Sequence, residues 1–347
     1  MAENRTGQPR KKPRFKTKLH LIRFVLLMCF CALFFVTGCV GVSAVAQLRT
    51  AFVNPDKVFN ADVKEETEKV VQVVDTETGK VVDKTITVSG KAVNILVIGV
   101  DLSEERRQTG EGYNTDVLML VNVNTDTNKI TVLSIPRDTK AQIRLLNASG
   151  ELRGTKVGKI NSAYGNSGNI EKYGYANTIA AVSDVLGGIS IDGYAAIDMD
   201  GVGKMADLVG GVPLVMDVSI PEAGLYKDEE VLLRGEQALA YVRERKLAGT
   251  DGSDVMRTQR QIRFVKAWMK QVKDNISLSQ IPGLYSGAME FTDTDLTLDQ
   301  VVALASVLKK VDMENGLAMF NMPISYMDDL VYPDETALRD LVDQYFR

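Results

Sequence analysis

The chain has 347 residues, a net charge of −4, one histidine and three cysteines, and those four residues all lie within the first 39 positions. Beyond them a Ser-His-Asp triad, a thiolate nucleophile, a disulfide and a zinc site are excluded, which leaves carboxylates and guanidinium groups, the side chains that hold hard divalent cations and phosphates. The charge is also divided, roughly +8 through Arg49 and so roughly −12 beyond it, which argues against nucleic acid as a partner.

Residues 1–23 form a basic tail, and residues 24–46 carry no charge at all. At ~1.5 Å per residue that stretch crosses the ~30 Å hydrocarbon layer as a single transmembrane helix. The basic side stays cytoplasmic, so the sequence predicts a cell-membrane protein with its C-terminal part extracellular. An alternative anchor is a lipid on Cys39, because residues 36–39 have the form of a bacterial lipoprotein processing site. Residues 47–90 read as a membrane-proximal stalk with a hairpin, its strands at 70–74 and 80–88 flanking a turn at 75–79.

From residue 91 to residue 347 the pattern is that of a single α/β domain. Dense apolar runs at 93–100, 117–123 and 130–135 predict three strands, the second and third joined by the turn-rich 124–128. Asp101 ends the first strand, Asp116 begins the second, and Arg137 follows the third just after Pro136 stops its pairing. An up-down-up order places all three at one edge, where two carboxylates can share a cation while the guanidinium faces what the cation binds; taken singly, each aspartate at a strand end also reads as a turn former. Helical patterns follow at 175–186, 200–209, 236–242, 254–273 and 298–311, the first two closed by glycine pairs, with short strands at 191–197 and 212–218 between them. The sum is a mixed sheet with helices on both faces.

The 254–273 helix carries a charge pattern of its own. With Arg257 at 0° on a wheel of ~100° per residue, Val265, Trp268, Met269 and Val272 fall between about 20° and 120°, and Arg263, Lys266, Lys270 and Lys273 between about 160° and 240°. Arg257 and Gln261 lie on or beside the apolar side, and Arg260 at its border. A buried guanidinium needs an anionic partner, and a first helical turn already favours an anion. An internal salt bridge to Asp254 or another acid is the structural alternative. Arg243 and Arg245, one residue apart, point to the same side of an extended segment, or else form a solvated pair.

Seven segments in order, NILVIGVD, NTDVLMLVNVN, LSIPRDT, KINSAY, LVGGVPLVM, GEQALAYVRER and DVMRTQRQ, make the chain resemble the LytR-CpsA-Psr family of Gram-positive cell-envelope proteins. The resemblance implies a three-layer α-β-α sandwich around a mixed central sheet. It also implies a phosphotransferase that takes a phosphoglycan from a polyprenyl diphosphate carrier to peptidoglycan or another envelope acceptor, with magnesium (Mg2+), or manganese (Mn2+) in its place. Carried over by motif, Asp101 and Asp116 match metal-site carboxylates, and Arg137, Arg243, Arg245 and Arg257 match diphosphate-binding arginines, with Gln261 beside them. Arg260 shares that motif as a further binding residue or a packing residue. In many relatives an arginine stands soon after the first aspartate and another shortly before the second; here Leu102-Ser103 and Asn114-Thr115 stand there, and Arg106 and Arg107 are displaced into the intervening loop. After KINSAY the chain reads Gly165 to Gly168 in place of a tight glycine pair, which leaves Asn161 a minor candidate. With no histidine, Asp116 or Asp138 is the base if one is needed. Two other functions fit the same residues: a non-catalytic polyprenyl-phosphate-binding regulatory module and a lipid diphosphate hydrolase.

Overall fold

A computed structural model describes residues 64–74, 81–90, 92–101, 113–244 and 254–347, with Leu48, Val58 and Phe59 besides. The predicted basic tail and transmembrane segment lie outside the described residues. Among those described, no helix is long and apolar enough to cross a membrane.

Strands β1 (Lys64–Val74) and β2 (Val81–Gly90) pair antiparallel from Val74↔Val81 outward, the hairpin predicted for the stalk, with longer arms. The next three strands, β3 (Ala92–Val100), β4 (Thr115–Asn124) and β5 (Lys129–Ile135), form the expected up-down-up meander. Its second turn is made by Asn124, whose Oδ1 accepts from the Asp126 and Thr127 amides, and by Asn128 in the left-handed region (φ 50°).

A hairpin that the apolar pattern did not predict follows, β6 (Lys140–Leu146) with β7 (Leu152–Lys159); β7 is mostly exposed, so it lacks the alternation that marks a half-buried strand. The chain continues through α1 (Ile170–Val185), β8 (Gly193–Asp198), α2 (Met199–Leu208), β9 (Val212–Val215), β10 (Glu230–Leu233) and α3 (Gly235–Arg243). It ends with α4 (Asp254–Asn275), α5 (Ile281–Ala288), β11 (Thr292–Thr294), α6 (Leu298–Lys310), β12 (Leu317–Asn321), β13 (Ile324–Met327), β14 (Val331–Pro333) and α7 (Glu335–Tyr345). The first predicted helix starts five residues earlier than its apolar pattern, because Asn169 caps it by accepting from the Lys172 amide. The glycine stops hold: the Gly188 amide reaches back to the Ser183 carbonyl and the Gly211 amide to that of Ala206, both at 2.8 Å.

The central sheet has six strands in the order β11-β8-β3-β4-β5-β12, with parallel pairs β8/β3 and β5/β12 among antiparallel ones. Leu96, Ile98, Leu118, Leu120 and Leu133 pack on one face against Ala181 and Val182 of α1 and Leu338 and Val342 of α7. Val93 and Ile95 pack on the other face with Leu296 and with Val301 and Leu304 of α6. Each fully buried leucine, isoleucine or valine among them contributes about 1.5–3 kcal/mol. Asn94 interrupts the apolar run of β3 and is buried: its Nδ2 donates to the Ser190 and Phe346 carbonyls, and its Oδ1 accepts from Asn122. That network ties the C-terminal helix to the sheet at the end away from Asp101.

Candidate functional site

At the other end of the sheet the meander brings the predicted residues together. Val100 pairs with Thr115 and Gly99 with Val117, so Asp116 is the extra residue of a β-bulge, a device that re-aims one side chain out of a ladder. Gly99 permits it, since a Cβ there would sit 2.8 Å from that of Val117. The Asp101 amide donates to the Asn114 carbonyl at 3.0 Å, which keeps Asp101 beside the start of β4. Arg137 Nη1 donates to Asp116 Oδ1 at 2.7 Å, and both side chains are largely buried.

Arg137 owes its place to a turn. The Pro136 carbonyl accepts from the amide and the hydroxyl of Thr139, so Arg137 and Asp138 occupy the two central positions. The turn is held from both sides: the Arg137 carbonyl accepts from the Asn161 amide at 3.1 Å, and the Asp138 carbonyl from the Val331 amide at 2.9 Å. The Asp138 carboxylate lies 3.2 Å from Lys159 Nζ and 3.8 Å from Arg137 Nε.

A cleft of about 520 Å³ opens here, lined by Asn114, Arg137, Asp138, Lys156, Lys159, Asn161 and Ser162 among others. Asn114, Lys156 and Lys159 were not singled out from the sequence. The signal for Lys159 was present, since it opens the KINSAY segment, but nothing local says that β7 folds back over the Arg137 turn. The Gly165 to Gly168 stretch also finds its reason: a Cβ on Gly165 would lie 2.7 Å from the Tyr113 carbonyl oxygen, and Gly168 adopts φ 71° against the Asn147 backbone.

The helical arginines form a second group. Arg257, Arg260 and Gln261 are 4%, 2% and 7% exposed, while Arg263, Lys266 and Lys270 face solvent, as the wheel predicted; Lys273, expected with them, is half-buried and its Nζ donates to the Lys309 carbonyl at 3.3 Å. Arg260 departs from its expected border position and is the most buried of the three, because Phe264, also buried, widens the stripe on its side. Its Nε donates to the Tyr241 carbonyl at 3.0 Å and its Nη2 to that of Glu244, while Gln261 Nε2 donates to the Val242 carbonyl at 3.4 Å. Both residues thus cap the C-terminus of α3, where carbonyls lack intrahelical partners. The extended segment expected around Arg243 is corrected: Arg243 is the last residue of α3 and exposed, and only at Glu244 does the backbone become extended. Arg245, Arg106 and Arg107 lie outside the described residues.

Asp217 fastens this junction. Its carboxylate accepts from the Tyr241 hydroxyl of α3 at 2.8 Å and pairs with Arg263 of α4 at 3.1 Å. Burial, and then the Asp217 charge and hydrogen bond, push the Tyr241 hydroxyl above its ordinary value; burial pulls Arg260 down, against the pull of Asp217. The two groups are linked through the fold. Val100 pairs with Asp198, which caps α2, and Asp207 at the far end of α2 accepts from the Gly235 amide that opens α3. Among the described residues no group of three or more histidine, cysteine, aspartate and glutamate side chains gathers as a ready metal cage.

Residues 57–342 match the LytR_cpsA_psr family, a stretch that takes in the meander, the cleft and both arginine helices. The chain belongs to that family. Among similar LytR_cpsA_psr-type proteins, the polyisoprenyl-teichoic acid–peptidoglycan teichoic acid transferase TagU of Halalkalibacterium halodurans is 35% identical over 216 residues, 61% of this chain and 64% of that protein. TagV of Bacillus subtilis, which carries the same transferase name, is 29% identical over 235 residues, 64% of this chain and 56% of its own length. The matched stretch thus spans less than two thirds of either relative. The crystal structure of B. subtilis TagV superposes with a TM-score of 0.58 at 25% identity, over 73% of this chain and 94% of that one, consistent with the mixed sheet and its helices.

Proposed function

We propose that this protein transfers a phosphoglycan from a polyprenyl diphosphate carrier to a hydroxyl of a cell-wall acceptor, peptidoglycan or a related envelope polymer. The observation that carries the reading is Arg137, locked by its turn and by Asp116 at the mouth of a cleft that also displays Lys156 and Lys159. The TagU and TagV relatives, by name, act on polyisoprenyl-linked teichoic acid and peptidoglycan. Residues 24–46 anchor the chain, with the N-terminus cytoplasmic and the catalytic part outside, and the helices on both sheet faces make three layers.

In this mechanism the acceptor oxygen attacks the phosphorus joined to the sugar. The bond from that phosphorus to the bridging oxygen breaks, and lipid monophosphate leaves with the electron pair. Arg137, with Arg257 and Arg243 from the helical side and Arg245 by motif, neutralises charge on the transferred and leaving phosphates. The hydroxyl proton passes to Asp138, or to Asp116 where Asp101 alone holds the ion. Gln261 and Arg260 act through position, holding the end of α3 on which Arg243 sits.

Two aspartates at neighbouring strand ends suit a hard cation that takes one or two protein carboxylates and fills its shell with water and substrate phosphate, so Asp101 and Asp116 fit Mg2+, or Mn2+ in its place. Such an ion, when bound, neutralises the diphosphate oxygens. The test is incubation of the full chain with a synthetic lipid diphosphate glycan, peptidoglycan oligomers and Mg2+, then mass spectrometry of the acceptor. Phosphoglycan on the acceptor supports transfer; free phosphoglycan alone makes the protein a hydrolase.

A further inference from the structure

Nine large hydrophobic side chains are exposed among the described residues, and five belong to two hairpins beside the Arg137 turn: Leu152, Val157, Ile324, Tyr326 and Met327, 43–61% exposed. The hairpins are joined. Thr139, next to Asp138, bridges to Val331 of β14, and Lys140 Nζ stands 4.9 Å from the centre of the Tyr332 ring. Tyr332 in turn meets Tyr326 at 5.6 Å. Lys140 pairs in register with Lys159, and Gln142 with Val157, so Lys140, Lys159 and Val157 share one face of β6–β7. Residues 140–159 hold five basic side chains and one acidic one, in a chain that is acidic beyond its N-terminal segment.

We propose that these two hairpins form a membrane-contact face, on which the protein lies against an anionic phospholipid surface with its cleft open to the headgroup layer. The inference rests on the reading of a lipid-linked substrate, whose diphosphate stays at the bilayer surface. Exposed aliphatic side chains on an edge strand recover free energy in the acyl boundary, tyrosines settle at the interface, and lysines meet anionic headgroups. A sugar polymer fits the same face less well, because the Tyr326 and Tyr332 rings are tilted by 45° and make no flat platform for a glycan ring. Asp328 and Asp329, in the β13–β14 turn, work against an anionic surface, and Asp328 is turned back to accept from the Leu330 amide at 2.7 Å.

The experiment uses the full chain reconstituted in vesicles of phosphatidylcholine and phosphatidylglycerol, with and without brominated acyl chains. Tyr326→Trp places a probe on the face, and Tyr226→Trp, on another exposed tyrosine, is the control; Trp268 gives the same background in both. Bromine quenches the Tyr326→Trp chain well beyond the Tyr226→Trp chain if the face docks, and equal emission losses overturn the proposal. A shift of the Tyr326→Trp emission with a soluble polyanionic glycan, but not with brominated lipid, also overturns it and makes the face a polymer site. The variant Tyr326→Ser lowers transfer from a vesicle-borne substrate roughly tenfold, the scale of one side chain lost from the acyl boundary. The same variant leaves transfer from a water-soluble short-prenyl diphosphate glycan unchanged, and equal loss on both substrates counts against docking. If the unaltered chain transfers nothing from either substrate, the transferase reading fails, and the quenching alone decides the face.

Discussion

Arg137 is placed by the three backbone contacts of its turn and by two carboxylates, so its removal should change chemistry more than folding. Arg137→Ala is expected to lower the rate of transfer to a purified acceptor by roughly 10² to 10³, the scale of a lost charge-stabilising donor. Arg137→Lys restores the charge but not the planar fork, and should recover only part of the rate. Mass spectrometry of the acceptor over time checks both, with circular dichroism showing that the fold is kept. Gly168 makes the opposite kind of prediction. Its left-handed backbone and the Asn147 carbonyl, which a Cβ would meet at 2.2 Å, forbid a side chain. Gly168→Ala should cost about 1–3 kcal/mol or more, read as a lower urea midpoint.

At the scale of elements, the junction of α3 and α4 turns on Asp217. Asp217→Ala leaves the buried Tyr241 hydroxyl and Arg263 without their carboxylate, which should cost about 1–3 kcal/mol. Under the proposed mechanism it also raises KM for the lipid diphosphate more than it lowers kcat, because Arg243 and Arg257 are misplaced while Arg137 is not. Steady-state kinetics separate the two effects, and Asp217→Asn should restore most of the stability. The same contact predicts an alkaline limb. The folded chain holds the Tyr241 proton more tightly than the unfolded chain, so stability is full below the ordinary tyrosine pKa near 10 and falls as pH rises above it. Tyr175, raised by burial and by its hydrogen bond to Asp293, acts in the same direction. Thermal melts between about pH 8 and 11 should show a steeper loss for the unaltered chain than for Tyr241→Phe, after correction for the Tm of each at pH 8.

For the whole molecule, the division between a strand-end group and a helical arginine group predicts that metal and lipid diphosphate binding can be separated. Removing divalent ions with a chelator should abolish transfer, and adding back Mg2+ should restore it. Asp101→Asn should raise the Mg2+ concentration needed for half-maximal transfer while the full chain still binds the lipid diphosphate, which a binding assay beside the transfer assay will show. An unchanged Mg2+ requirement would remove Asp101 from the metal site.

The N-terminal half of the central sheet was legible because β3, β4 and β5 follow one another and pair as neighbours, so apolar runs and turn residues are enough to order them. The same locality put Asp101, Asp116 and Arg137 at one edge, and the 3.6-residue period placed Arg257 and Gln261 on the buried side of α4. What needed the tertiary structure was long-range: the return of β7 over the Arg137 turn, the parallel addition of β12 beside β5, and the bulge that frees Asp116. Arg260 shows why. Its position on the wheel says only that it borders an apolar face, and its use, capping the carbonyls of Tyr241 and Glu244, depends on where a different helix ends. Sequence by itself determined the available chemistry, since composition removes histidine and cysteine beyond the N-terminal segment and leaves carboxylates and cationic side chains to hold phosphate and metal. Packing alone decided which of those groups meet, because contact between distant segments is set by the shape of the whole core.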